Sequence, residues 1–261
     1  MKVEVKNLVL KYPIKNLDNY LFRARMLRKI KNLIFKNKNT NTNNIEEKPL
    51  DDGIVALKNI NFTINNNDRL GLIGLNGSGK STLLKCLSNI LPHNEGSIKI
   101  EGAEYLPIIQ PYAMCEPDDT LYNNIILISQ ILGFEKKEIE PQIEKILDFS
   151  ELTEYKHRTI ATLSTGMKFR FVFAVSFVLK GKNIFFIDEF LTTGDEKFQN
   201  KGFDYIKNKT DCIIVLCSHS RRLIEKFCNK VLILNKGEQV FFGDTSQGLD
   251  KYNNLIVYLV I

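Results

Sequence analysis

Gly74-Leu75-Asn76-Gly77-Ser78-Gly79-Lys80-Ser81 meets the pattern Gly-x-x-x-x-Gly-Lys-[Ser/Thr] at every fixed position. Its flanks fit as well as its letters. Arg69-Leu70-Gly71-Leu72-Ile73 reads as a short buried strand leading in, and Lys80-Ser81-Thr82-Leu83-Leu84-Lys85 opens a helical pattern leading out. Glycines let the backbone fold close around phosphate oxygens, and loop amides together with the helix N-terminus supply partial positive charge. Lys80 is placed to reach the β- and γ-phosphates, and the Ser81 hydroxyl to ligate Mg²⁺. A glycine-rich turn that merely ends a strand would explain the glycines but not the Lys80-Ser81 pair. The expectation is a nucleoside triphosphate site.

Downstream of the loop, strand and helix patterns alternate. Strands are predicted at 183–187, 212–218, 231–234 and 239–242, with helices near 197–208 and over 221–227. Such alternation behind a phosphate loop predicts an α/β fold whose mostly parallel sheet carries helices on both faces. Upstream, residues 1–12 read as an edge strand stopped by Tyr12-Pro13, and strand character resumes at 54–57 and again at 60–64. Gly96 to Gly102 reads as a hairpin, and a helical stretch follows from about Leu121 to Leu163. One phosphate loop is present and no internal repeat.

Asn183-Ile184-Phe185-Phe186-Ile187-Asp188-Glu189 is an apolar strand ending in two carboxylates. Open α/β sheets bind ligands in the crevice at the C-terminal ends of their strands. There Asp188 suits Mg²⁺ through its water shell, and Glu189 suits orienting or deprotonating the water that attacks the γ-phosphate. Cys212-Ile213-Ile214-Val215-Leu216-Cys217-Ser218-His219 repeats the design, so His219 is expected to contact the γ-phosphate.

Composition bounds the remaining classes. The 261 residues are 44% hydrophobic and 25% charged, ordinary for a soluble protein. No apolar run approaches the roughly 18 residues of a spanning helix, and the N-terminus carries no signal-peptide core. The five cysteines show no metal-ligand spacing, which favours reduced thiols over disulfides and a soluble cytoplasmic protein. Charge is uneven. Ten basic and three acidic residues lie from Lys11 to Lys48, a local excess of +7 in a chain of net +6. Residues 15–36 favour a helix with an imperfect apolar face, and Asn37-Lys38-Asn39-Thr40-Asn41-Thr42-Asn43-Asn44 is a polar tract predicted to be a loop. This basic segment either lies against an anionic surface such as lipid headgroups or acidic parts of another protein, or is a solvated insertion. A nucleic-acid arm fits less well, because aromatics for base stacking are sparse there.

Leu163-Ser164-Thr165-Gly166-Met167 stands shortly before Asp188-Glu189 and resembles the signature motif of ABC (ATP-binding cassette) ATPases. With the phosphate loop, the two carboxylates and His219 in order, nearly the whole chain is similar to one ABC nucleotide-binding domain. That resemblance implies a P-loop NTPase with a RecA-like, mostly parallel sheet core, an antiparallel β subdomain and an α-helical subdomain. Residues 1–261 would form a single ATP-binding domain, with 13–52 as the basic insertion and about 111–170 as the helical subdomain. It further implies that residues 74–82 (Gly74, Leu75, Asn76, Gly77, Ser78, Gly79, Lys80, Ser81 and Thr82) hold ATP, that Tyr12 stacks on adenine, and that Ser164 and Gly166 face the γ-phosphate held by a second copy. Asp195 matches the D-loop aspartate. Gln110 in Ile109-Gln110-Pro111 matches the Q-loop glutamine, which with Ser81 and Asp188 serves Mg²⁺.

Three departures from the commonest pattern point to one branch. Thr165 and Met167 stand in the signature, Phe190 follows Glu189, and the D-loop reads Thr192-Thr193-Gly194-Asp195. Ser-x-Gly-Met, Asp-Glu-x-Leu-x-x-Gly-Asp and a long insertion after the adenine-stacking tyrosine resemble the ATPase subunits that export capsule, O-antigen or teichoic acid. The resemblance implies a homodimer sandwiching ATP and Mg²⁺, bound beneath separately encoded transmembrane permease subunits at the cytoplasmic face of the plasma membrane, with no nucleic-acid partner. Some O-antigen exporters add a C-terminal carbohydrate-binding domain, which a chain ending at Ile261 is expected to lack. The alternative is a soluble ABC ATPase acting on nucleic acid or ribosomes; such proteins usually fuse two cassettes or carry long coiled coils. A catalytically dead regulatory cassette is disfavoured by the presence of Lys80, Glu189 and His219 together.

Overall fold

The computed structural model describes residues 1–13, 53–102, 105–108, 114–178, 183–188 and 196–260. In chain order the strands are β1 (Lys2–Pro13), β2 (Gly53–Asn65), β3 (Arg69–Ile73), β4 (Glu95–Glu101), β5 (Tyr105–Ile108), β6 (Ile184–Asp188), β7 (Ile213–Cys217), β8 (Lys230–Asn235) and β9 (Glu238–Asp244). The helices are α1 (Lys80–Leu87), α2 (Leu121–Ile131), α3 (Lys136–Ile139), α4 (Ile143–Ser150), α5 (Thr165–Val178), α6 (Glu196–Lys207), α7 (Arg221–Phe227) and α8 (Thr245–Val260).

Among the described residues the strands join in the order β4-β1-β2-β9-β8-β3-β7-β6-β5. From β8 to β5 every pairing is parallel. β9 runs antiparallel to β8, and β1 runs antiparallel to both β2 and β4. The parallel core and the antiparallel layer thus meet at β9 and β2, which touch in parallel register at Lys58 and Glu238.

The central strands read as unbroken apolar runs because both of their faces are covered. Leu70, Leu72, Ile213, Val215, Cys217, Leu232 and Leu234 point to one side, where α1 contributes Leu83, Leu84 and Leu87 and the antiparallel layer contributes Val3, Val5 and Phe62. Their neighbours Ile214, Leu216, Phe185, Ile187, Val231 and Ile233 point to the other side. There they meet the remaining helices, above all α5, which is buried continuously from Phe171 to Val178. A helix buried all round belongs in the middle of a core, and Phe173 of α5 lies 4.6 Å from Phe177 and 6.0 Å from Phe149 between ring centroids. All five cysteines are free thiols. Among the described residues no helix is long and apolar enough to cross a membrane.

Four local expectations are corrected. Residues 1–12 do not form an edge strand: β1 is paired on both sides, and β4 is the edge. The hairpin at Gly96 to Gly102 is instead the single strand β4, whose partner is the distant β1. The separate strands at 54–57 and 60–64 are one strand, β2, carrying an irregularity where Asn59 takes φ 49°. The stretch from Leu121 to Leu163 is broken into short helices, and Glu151, at φ 60°, stops α4.

Helix α8 has no counterpart among the predicted elements. Gly248 in its first turns argues against a helix. The structure gives the reason for it: a Cβ there would come within 2.0 Å of Val231 and 2.8 Å of Phe241. Only glycine lets α8 lie this close to β8 and β9. The start signal was present in Asp244, whose Oδ1 accepts hydrogen bonds from the Ser246 N–H at 2.8 Å and the Ser246 hydroxyl at 2.7 Å.

Candidate nucleotide site

The site forms where the C-terminal ends of three neighbouring parallel strands line up. Leu72 of β3 and Asp188 of β6 both stand opposite Cys217 of β7. The loop at 74–79, the carboxylate of Asp188 and the pair Ser218-His219 therefore leave the sheet along one edge, as expected for a ligand crevice.

The loop is held by its own backbone demands. Gly77 and Gly79 take φ values of 76° and 105°. A Cβ at Gly79 would meet the Ala56 carbonyl oxygen at 2.9 Å, and one at Gly74 would meet the Leu234 carbonyl oxygen at 2.2 Å. Nothing lies within 4 Å of the Cβ position at Gly77, which is open toward solvent. Leu75, Asn76 and Gly77 form the exposed crest of the loop, whereas Ser78 and Lys80 are buried. Lys80 arches back beneath the crest, its Nζ donating to the carbonyl oxygens of Gly74 at 2.9 Å and Leu75 at 3.1 Å. This places a positive charge directly beneath the loop, as a compact ammonium with three donors allows. Gly79 also serves as the N-cap of α1, where no side chain caps the first turn. The orphan amides there remain available to an anion.

Two side-chain contacts join the end of the loop and the start of α1 to distant sequence. The Ser81 hydroxyl donates to Oδ1 of Asp188 at 3.2 Å, across 107 residues of chain. This pair contains only oxygen donors, one of them anionic, which suits a hard cation such as Mg²⁺. Among the described residues no cluster of three His, Cys, Asp or Glu side chains could hold a metal alone, so such a cation needs further oxygens from water and phosphate. On the other flank, the Tyr12 hydroxyl and the Thr82 Oγ1 lie 3.4 Å apart. Half-burial of the Tyr12 ring raises its phenol pKa, an effect the contact with Thr82 partly offsets. The Tyr12 hydroxyl thus stands beside the first turn of α1.

The sequence-predicted residues divide into four groups. Tyr12, residues 74–82 and Asp188 are brought together. Ser164 and Gly166 sit elsewhere, at the start of α5. Ser164 is exposed and caps that helix, its Oγ accepting from the Met167 N–H at 3.3 Å. Gly166 has nothing within 4 Å of its Cβ position. His219 follows β7 at the crevice edge and is exposed. Gln110, Glu189 and Asp195 lie outside the described residues, as does the basic segment 14–52.

Residues 57–192, more than half the chain, match the ABC transporter family. This chain belongs to the ABC transporter family. Among its relatives, the O-antigen export system ATP-binding protein RfbE of Yersinia enterocolitica is 37% identical over 188 residues, covering 70% of this chain and 77% of the relative. The teichoic acids export ATP-binding protein TagH of Enterococcus faecalis is 35% identical over 202 residues, 76% of this chain but only 44% of that longer protein. This ABC cassette therefore spans less than half the length of the Enterococcus protein it matches. Solved structures agree on the fold. The ATP-binding subunit of an ABC transporter superposes with a TM-score of 0.73 at 19% identity over the full length of both chains. A dimeric cassette in a post-hydrolysis state with ADP and phosphate gives 0.68 at 18% identity, over 93% of this chain and 98% of that one.

One contributor to the ABC cassette's glycine loop carries no signal of that role in the sequence. Gly237, in the turn between β8 and β9, donates its N–H to the Ser78 carbonyl at 3.0 Å, and its own carbonyl accepts from the Lys58 N–H at 2.8 Å. A Cβ there would meet the Ala56 carbonyl oxygen at 2.7 Å. Asn235-Lys236-Gly237-Glu238 is legible as a hairpin turn, but nothing local says that the turn abuts residue 78.

Proposed function

We propose that this chain is the ATP-binding and ATP-hydrolysing subunit of an exporter that moves a cell-surface polysaccharide or lipid-linked glycan across the cytoplasmic membrane. The observation that carries the reading is the 3.2 Å contact between Ser81 and Asp188, which joins the phosphate loop to the carboxylate strand at one crevice. The export substrate class is supported by what the O-antigen and teichoic acid relatives are named for.

In this reading residues 74–82 bind the triphosphate. Lys80 leaves the loop carbonyls for the β- and γ-phosphates, and Tyr12 stacks on adenine. Ser81, Asp188 and Gln110 would hold Mg²⁺, which supplies positive charge against the β- and γ-phosphate oxygens. Glu189 orients and deprotonates the attacking water, and His219 contacts the γ-phosphate. Two copies pair head to tail, so that Ser164 and Gly166 of one, with Asp195 nearby, close on the ATP of the other. The open space over Gly166 supports this, since a bare backbone at a helix start suits an incoming anion. Tighter ATP binding by the closed dimer than by the open one would couple the cycle to separately encoded permease subunits, with this chain peripheral at the cytoplasmic face.

The test is ATP turnover in membranes carrying this chain with its permease, wild type against Glu189→Gln. Turnover should fall by about a hundredfold or more, a hundredfold being the lower end of the range for loss of a general base, while ATP remains bound. Equal turnover would remove Glu189 from the mechanism and with it the alignment of the residues around it.

A further inference from the structure

Glu151 ends α4 in a left-handed backbone conformation, φ 60° and ψ 36°, where glycine or asparagine is the usual occupant. Its side chain gives the position a use. One carboxylate oxygen accepts from Nη1 of Arg170 at 2.7 Å, and the other accepts from Nζ of Lys201 at 3.1 Å. Arg170 is on α5, six residues beyond Ser164. Lys201 is on α6, six residues beyond Asp195.

The two cations are held by more than Glu151. Nζ of Lys201 also donates to the Phe149 carbonyl at 2.8 Å, in the last turn of α4, and lies 4.8 Å from the Phe149 ring centroid. The Arg170 guanidinium lies 5.4 Å from the centroid of the buried Phe198 ring on α6. Arg170 and Lys201 together keep the Glu151 carboxyl below its ordinary range, with the Lys201 hydrogen bond as the main cause. All three charged groups are partly exposed, and such pairs contribute little to global stability. What they do fix is spacing: three helices meet at one carboxylate whose two oxygens are both used.

We infer that Glu151 is a positioning residue for ATP turnover, tying the helix that starts at the signature to the helix that follows Asp195. The inference rests on the reading above, in which Ser164, Gly166 and Asp195 all face the ATP held by the partner copy. A cassette that must present these segments to one phosphate gains from a brace that fixes their separation, and this brace touches neither the loop at 74–82 nor nucleotide.

The experiment compares Glu151→Gln, Lys201→Gln, the double variant and Lys201→Arg in membranes with the permease. It reads kcat, KM for ATP, binding of a fluorescent ATP analogue and the melting midpoint. Each neutralising single variant should lower kcat about fivefold with KM within about twofold, in the range of energetic coupling between contacting groups. The double variant should be no worse than either single one, and Lys201→Arg should recover most of the wild-type kcat. Wild-type kcat in Glu151→Gln overturns the inference, as does a parallel loss of ATP binding and melting midpoint, or an additive loss in the double variant. Glu189→Gln, run alongside, separates the two levels. If it abolishes turnover while Glu151→Gln is normal, only the brace is wrong; if it leaves turnover intact, the parent reading fails and takes the brace with it.

Discussion

Gly166→Ala separates a structural from a functional glycine. The residue lies in the first turn of α5, its φ is not in the left-handed region, and an added methyl would find nothing within 4 Å. Within one chain the substitution therefore removes no contact and creates no clash. Alanine exceeds glycine in helix propensity by about 1 kcal/mol at an interior position, and by less than that in a first turn. The folded chain should be as stable as wild type or slightly more so, with a melting midpoint unchanged or raised by up to about 2–4 °C. Turnover should respond in the opposite sense. If the open space over Gly166 receives the γ-phosphate held by a second copy, a methyl group blocks that approach, and a loss of only about 1.4 kcal/mol of transition-state stabilisation is already tenfold in rate. Differential scanning fluorimetry and ATP turnover, measured over a range of protein concentration, read both quantities. Full turnover with a raised midpoint would refute the inter-copy role of Gly166. A lowered midpoint would refute the reasoning about its surroundings.

Gly237→Ala should behave oppositely in stability. Its φ of 81° costs alanine about 1–2 kcal/mol, and the methyl would press on the Ala56 carbonyl oxygen at 2.7 Å. A midpoint lowered by about 4 °C or more, together with weaker binding of the ATP analogue, is expected because Gly237 holds the Ser78 carbonyl; unchanged binding would show the loop to be independent of that turn. Burial pushes the thiols of Cys86, Cys115 and Cys228 up to about 12. Since the thiolate is the nucleophile, alkylation of these three in the folded protein at pH 8 should be slower than in denaturant by a factor on the order of a thousand. Rapid native labelling followed by peptide mapping would contradict this. The same shift sets a sign for stability. The unfolded chain loses these protons near the ordinary value of 9.0 while the folded chain keeps them to about 12, so stability should fall as pH rises between those values.

Much of the cassette was written locally. Strand β3 and helix α7 fall at their predicted limits, and β6, β7 and β8 within a residue or so, because buried parallel strands leave continuous apolar runs that polar turns punctuate. Residues 74–81 specify their own conformation, since the positive φ values at Gly77 and Gly79 need residues without a Cβ and the Lys80 ammonium has loop carbonyls within reach. The ordered motifs by themselves carry the resemblance to the ABC family.

Other features depended on partners far away in sequence. β1 and β4 pair across more than a third of the chain, from Lys2 to Glu101, so nothing near residues 96–102 could distinguish a lone strand from a hairpin. Gly248 looks like a helix breaker until α8 is laid against Val231 and Phe241. Ser81 and Asp188 are each plausible alone, but only the β3–β7–β6 order brings their oxygens to 3.2 Å. Glu151, Arg170 and Lys201 carry no motif at all. Side-chain chemistry and backbone strain are local and therefore legible, whereas which charges share a carboxylate is decided by how three helices pack on the sheet.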